Sequence, residues 1–271
     1  MEHAWNEGDV VVNGVRLHYT RTGGRLPPLV LAHGFSDSGM CWLPTALELS
    51  KDYDVILPDA RGHGKSDRVN DAIPLDLAGD LAGVITGLGL PSPVLGGHSM
   101  GASTAAQVAA QHPGLLRGLI LEDPAWFFLK PGETPPQHRD PDPYRTWLAS
   151  LSGQPVEAVM AKCRQDSPTW GEIELRPWAE SKLAFDPHFM IQRGALPSTP
   201  WQDVAKAIRC PTLLITADNG RGAIVTPDAV ALATSLNPLI QVAAIPGAGH
   251  NIRREAFPAY IAAVKAFLAR L

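Results

Sequence analysis

Three short segments carry residue types suited to acyl-transfer chemistry. In Gly97-His98-Ser99-Met100-Gly101 a serine sits behind the apolar run Val94-Leu95 and ahead of an Ala-rich stretch. A strand, a sharp turn and then a helix is the context that lifts a serine hydroxyl above a sheet as a nucleophile. A hydroxyl reacts only when a base takes its proton. His250, in Pro246-Gly247-Ala248-Gly249-His250, is the candidate base, although the chain has nine histidines and a surface loop could hold one for no chemical reason. His33-Gly34-Phe35 follows the run Leu29-Val30-Leu31-Ala32. A Gly34 turn can aim the Phe35 N–H at a carbonyl oxygen, and the Met100 N–H, just past the serine, supplies a second donor for an oxyanion. The plainer alternative is an ordinary strand-to-helix turn.

A histidine base also needs a carboxylate to hold its tautomer. Asp123, in Leu121-Glu122-Asp123-Pro124, and Asp218, in Ala217-Asp218-Asn219-Gly220, are the candidates, with Glu122 behind them. Asp123 could instead cap a helix opening at Pro124, and Asp218 could be a turn residue.

These segments need a frame. Val10-Val11-Val12 and Val15-Arg16-Leu17 flank Asn13-Gly14, a hairpin-turn dipeptide. Short runs recur at 29–32, 55–57, 94–96, 119–121, 213–215 and 240–245, most of them continuously apolar, as expected of strands buried on both faces of a parallel sheet. Helical patterns lie between them, at 75–88, 99–111, from Thr226-Pro227 and from Phe257. The alternation predicts right-handed crossovers and an α/β architecture. From 124 to 207 the rhythm breaks: five of the seven tryptophans fall there, with many prolines. We read 1–123 and 208–271 as the core and 124–207 as a helical cap insertion. Trp126, Phe127 and Phe128 are its best substrate-contact candidates, with Gly34 across the turn.

Composition narrows the function. Lys plus Arg is 23 and Asp plus Glu is 27, a net charge of −4, which offers a nucleic-acid backbone no basic footprint. Three widely spaced cysteines, Cys41, Cys163 and Cys210, argue against a disulfide framework or a zinc site. The N-terminus lacks a signal-peptide pattern, and the apolar runs are too short to span a bilayer. The expectation is a cytoplasmic protein with no membrane partner.

The order of these motifs, together with Asp59-Ala60-Arg61-Gly62-His63-Gly64-Lys65-Ser66, resembles the α/β-hydrolase fold family over nearly the whole chain. The resemblance implies an eight-stranded, mostly parallel sheet with helices on both faces. It further implies a cap after the sixth strand and a triad in the order serine, acid, histidine, with the 59–66 turn mostly structural. Many members carry the acid after the seventh strand, in a pattern that places Gly220 at the acidic position here. Others, including zearalenone-type lactone hydrolases, carry it 24 residues after the nucleophile, which is Asp123. The resemblance thus favours Ser99, Asp123 and His250. It implies hydrolysis of an ester or lactone with an apolar acyl or aromatic part and no metal or organic cofactor. C–C or amide hydrolysis, and a receptor without turnover, remain alternatives.

Overall fold

The computed structural model describes residues 5–127, 143–194 and 199–271. Eight strands form one sheet: β1 (Asn6–Val12), β2 (Val15–Arg21), β3 (Pro28–Ala32), β4 (Asp54–Pro58), β5 (Val94–His98), β6 (Gly118–Glu122), β7 (Thr212–Thr216) and β8 (Ile240–Ala244). Their spatial order is β1-β2-β4-β3-β5-β6-β7-β8. The pairs β1–β2 and β2–β4 are antiparallel and all others are parallel. Asn13 and Gly14 both adopt positive φ (52° and 78°), the geometry of the tight turn that joins β1 to β2.

Successive strand residues point to opposite faces, so each parallel strand feeds two cores. Val30, Ile56, Leu95, Leu119, Leu121 and Leu214 face one layer of helices. That layer contains α2 (Leu77–Gly87), α3 (Met100–Gln111), α8 (Trp201–Ala207) and α9 (Pro227–Leu236). Leu29, Leu31, Val55, Leu57, Ile120, Leu213 and Ile215 face the other layer, with α1 (Leu43–Leu49) and α11 (Phe257–Leu268). Local sequence sets the helix starts. Asp76 accepts from the Gly79 N–H at the head of α2, and Thr226 accepts from the Ala229 N–H above Pro227 at the head of α9.

Between β6 and β7 lie α4 (Pro143–Leu151), α5 (Val156–Asp166), α6 (Glu172–Ala184), α7 (His188–Gly194) and α8. Helices α4 to α6 share a small apolar core of Leu151, Val159, Cys163, Leu175, Trp178 and Ala179. Leu148 of α4, Phe185 just past α6 and Phe189 of α7 join Val69, Leu75 and Met100 in a cluster that ties this segment to the loop before α2 and the head of α3. The last helix of the 124–207 segment, α8, packs with the sheet's helical layer. Val204 and Ala205 of α8 belong to the sheet's own core, against α3. Trp126, expected as a substrate contact, is 2% exposed and stacks on Trp201 at 5.1 Å. Among the described residues no helix is long and apolar enough to cross a membrane.

Candidate active site

Ser99 closes β5 and opens α3 with φ 53° and ψ −114°, a strained turn that a non-glycine residue adopts only when its surroundings impose it. Two anchors do so. The Ser99 N–H donates to Glu122 O at 2.9 Å, continuing the β5–β6 ladder, and its carbonyl accepts from Ser103 N at 3.0 Å as the first turn of α3. The turn is packed tightly against the end of β3: a Cβ on Gly101 would lie 2.3 Å from Ala32 O and 2.4 Å from His33 O. The half-buried hydroxyl therefore stands at the sheet's carboxyl edge, over the positive end of the α3 dipole.

His250 stands in the loop that follows β8. Its Nε2 is 3.0 Å from Ser99 Oγ and its Nδ1 is 2.6 Å from Asp123 Oδ2. Asp123 is fully buried, with φ 39°. Its Oδ1 accepts from Val225 N at 2.9 Å and Ile224 N at 3.1 Å, and Oδ2 accepts again from Ile224 N at 2.8 Å. With only acceptors facing Nδ1, the imidazole carries its proton there and turns the Nε2 lone pair toward the serine. A second contact fixes the loop. The His98 ring lies 4.7 Å from the His250 ring, and its Nε2 donates to His250 O at 2.9 Å.

The other two acids take different places. Asp218 is exposed and accepts from Gly247 N at 2.8 Å, which pins the loop leading to His250. Glu122 is fully buried and pairs with Arg253 at 3.1 Å. Burial pushes the Glu122 carboxyl up, against the pull of Arg253.

The Gly34–Phe35 peptide is oriented through its carbonyl. Gly34 O accepts from His33 Nδ1 at 2.8 Å and from Asp37 N at 3.1 Å. In a trans peptide the N–H opposes the carbonyl, so the Phe35 N–H points out of the turn. Gly34 itself abuts the nucleophile strand: a Cβ there would lie 2.6 Å from His98 Nδ1. Met100 holds the first position of α3, where its N–H has no carbonyl to bond within the helix. His33 and His63 are braces for this loop. Ala60 N donates to His33 Nε2 at 3.0 Å, and Ser36 N donates to His63 Nε2 at 3.3 Å. Burial holds both imidazoles below the ordinary histidine range. The 59–66 turn is structural: Asp59 accepts from Gly39 N and Lys65 N at 2.7 and 2.8 Å.

Phe35 meets an aromatic wall, with Tyr144 at 5.4 Å, Phe185 at 5.2 Å and Phe189 at 5.9 Å. Phe127 is half-buried and its carbonyl accepts from Trp201 Nε1 at 3.1 Å. Phe128 lies outside the described residues. Sequence reasoning missed Tyr144, Phe185 and Phe189, whose only advance signal is the aromatic richness of the insertion. It also missed Asp37, Lys182 and Arg254, which meet behind the Phe35 turn.

An eight-stranded α/β sheet with a serine elbow at its carboxyl edge and a histidine beside it defines a hydrolase. The chain belongs to the Alpha/beta hydrolase family, whose sequence profile matches residues 29–264. It is 33% identical over 271 aligned residues to the N-formylmaleamate deformylase of Pseudomonas putida strain KT2440, covering 96% of each chain. It is 27% identical over 245 residues to the 2-(acetamidomethylene)succinate hydrolase of Mesorhizobium japonicum, covering 86% of this chain and 84% of that one. The solved structure of an E-2-(acetamidomethylene)succinate hydrolase superposes with a TM-score of 0.80 at 24% identity, over 98% and 99% of the two chains.

Proposed function

We propose that this hydrolase cleaves a carboxylic ester or lactone with an apolar acyl or aromatic part, through an acyl-enzyme on Ser99. The observation that supports it is the unbroken chain Ser99–His250–Asp123, at 3.0 and 2.6 Å. His250 Nε2 takes the hydroxyl proton as Ser99 Oγ attacks the carbonyl carbon. The Phe35 and Met100 N–H groups receive the oxyanion, helped by the α3 dipole. Collapse breaks the bond to the leaving alkoxide, which His250 protonates. His250 then deprotonates a water, which attacks the acyl carbon, releases the acid and restores Ser99. Asp123 holds the imidazole in the working tautomer and stabilises the imidazolium. A serine at position 99, in place of an aspartate, suits attack at a carbonyl and not displacement at an sp3 carbon.

The aromatic wall beside Phe35 supports an apolar acyl group, because such a surface gains most by covering apolar area. The helices inserted between β6 and α8 act as the cap over it. A second reading, hydrolysis of an N-acyl bond by the same steps, draws on the relatives named as a deformylase and as an acetamidomethylene hydrolase. A panel of p-nitrophenyl esters, acyl-homoserine lactones, a macrolactone and N-formyl or N-acetyl enamides, followed by mass detection, separates the two. Turnover of esters or lactones alone supports the first reading. Turnover of the N-acyl compounds at 100-fold higher kcat/KM, or about 2.7 kcal/mol, replaces it with the second.

A further inference from the structure

Behind the Phe35 turn lies a group of six buried charges that the hydrolytic steps do not use. Lys182 of α6 pairs with Asp37 at 2.6 Å. Asp37 also takes Arg254 at 3.0 Å and Arg253 at 3.4 Å, both from α10 (Ile252–Glu255), which follows His250 almost at once. Arg253 reaches Glu122 at 3.1 Å and Arg254 reaches Glu174 of α6 at 3.4 Å. None of these side chains is more than 6% exposed, and three cations balance three carboxylates. Burial works against the Asp37 charge, yet Arg254, Lys182 and Arg253 together hold its carboxyl well below the carboxylate range. Desolvating six charges is costly, and apolar residues of the same volume would be as stable or more so. Stability is therefore a poor reason for the cluster.

Position is a better one. Lys182 Nζ also donates to Ser36 O at 3.1 Å. Ser36 has φ 58°, a left-handed conformation that is unfavourable for a serine and needs outside support. Its three polar groups are all held: N–H by His63, C=O by Lys182, and Oγ by the Tyr144 hydroxyl at 2.6 Å. Two of those three partners come from the inserted helices. Ser36 follows Phe35 directly, and Asp37 N closes the turn onto Gly34 O.

We propose that Lys182 is a positioning residue: from the inserted helix α6 it holds Ser36 and Asp37, and so fixes the turn that presents the Phe35 N–H to the reacting carbonyl. The insertion thereby completes the oxyanion geometry as well as covering the site. Through Asp37 the same anchor grips Arg253 and Arg254, tying the oxyanion turn to the histidine loop. The inference rests on the acyl-transfer reading given above.

Lys182→Met keeps the length of the apolar stem and removes the ammonium. Active sites are first counted by burst titration with an activated p-nitrophenyl ester. Then kcat, KM and the Ki of a trifluoromethyl ketone, which places an oxyanion in the hole, are measured per titrated site. Losing an oxyanion donor outright costs 10²–10³ in kcat, so a loosened donor is expected to cost about 10- to 100-fold. KM should stay within about threefold, while Ki rises by the factor by which kcat/KM falls. Leu175→Ala is the control. It lies buried in the same helix, in the apolar core of the insertion, and should lower Tm with kcat per site nearly unchanged. If Lys182→Met proves insoluble, Tyr144→Phe, at an exposed position, removes the Ser36 Oγ contact and should move kcat/KM and Ki in parallel by a smaller factor. Unchanged kcat and Ki per site in the available variant overturn the proposal, as does an equal loss in Leu175→Ala. Ester turnover that survives Ser99→Ala undiminished overturns the acyl-transfer reading itself, and the proposal with it.

Discussion

Asp123→Asn tests the acid with a magnitude that follows from its hydrogen bonds. The carboxylate oxygens are not equivalent. Oδ1 serves Val225 N (2.9 Å) and Ile224 N (3.1 Å), whereas Oδ2 serves His250 Nδ1 (2.6 Å) and Ile224 N (2.8 Å). An asparagine must put its NH2 in one of these two places. At Oδ1 it would face the Val225 N–H, donor against donor, and a buried donor left unpaired costs about 1–3 kcal/mol. At Oδ2 the NH2 donates to His250 Nδ1 and gives up the 2.8 Å bond from Ile224 N, but the oxygen at the Oδ1 place still accepts from Val225 N at 2.9 Å and Ile224 N at 3.1 Å, so no backbone N–H is left unpaired. The difference is a roughly 5- to 150-fold preference for the second orientation. In that orientation the imidazole carries its proton on Nε2, facing Ser99 Oγ, and cannot act as a base. We expect kcat to fall by about 10⁴, the usual scale for a triad locked in the wrong tautomer, with Tm nearly unchanged. Asp218→Asn should stay within about tenfold of wild type, because an amide oxygen can still accept from Gly247 N. Initial rates with p-nitrophenyl acetate, corrected for titrated sites, and thermal melts read both variants. An Asp123→Asn enzyme within tenfold of wild type, or an equal loss in Asp218→Asn, refutes the reasoning.

Two further predictions concern stability. His33, His63 and His98 are buried, and desolvation holds all three below the ordinary histidine range. Their unfolded forms take up protons below about pH 6.5 while the folded forms do not, so stability is complete above that pH and is lost as pH falls. The urea midpoint should therefore fall as the pH is lowered from 7.5 to 5.5. Protonation of the folded-state carboxyls of Glu122, Glu174 and Asp80, all pushed up by burial, subtracts from that fall at the acid end. A urea midpoint that stays flat across this range contradicts the assignment of neutral imidazoles. Arg61, 1% exposed, grips Asp80 with two bonds of 3.0 and 2.8 Å. Arg61→Met leaves that carboxylate buried without its cation, and should cost about 3–5 kcal/mol and lower Tm by roughly 6–20 °C. The double variant Arg61→Met/Asp80→Leu should recover most of the loss, and a double variant no more stable than the single one speaks against an unpaired-charge penalty.

The legible part of this chain was the part governed by local rules. Apolar runs of strand length, Asn13-Gly14, Thr226-Pro227 and the glycines around Ser99 each act over a few residues, and the sheet and its flanking helices follow from them. Asp123 was reachable only through a count shared with known families. Its carboxylate is held by a pair of N–H groups from Ile224 and Val225, about 100 residues away, and no spacing announces them. Asp37, Lys182 and Arg254 were illegible for a related reason. Charged residues default to solvent, and these meet only because three distant segments fold onto one point. An aromatic just past Asp123 can equally line a pocket or pack a core, and the stack of Trp126 on Trp201 depends on a residue 75 positions away that no local pattern points to.

The most direct test of the account is to trap the acyl-enzyme. Stopped-flow mixing with p-nitrophenyl acetate should give a burst of one p-nitrophenol per chain. Acid quench followed by peptide mass analysis should then find the acetyl group on Ser99, and Ser99→Ala should abolish burst and adduct together. Steady turnover of the ester with no adduct on Ser99, or a burst that survives Ser99→Ala, would contradict it.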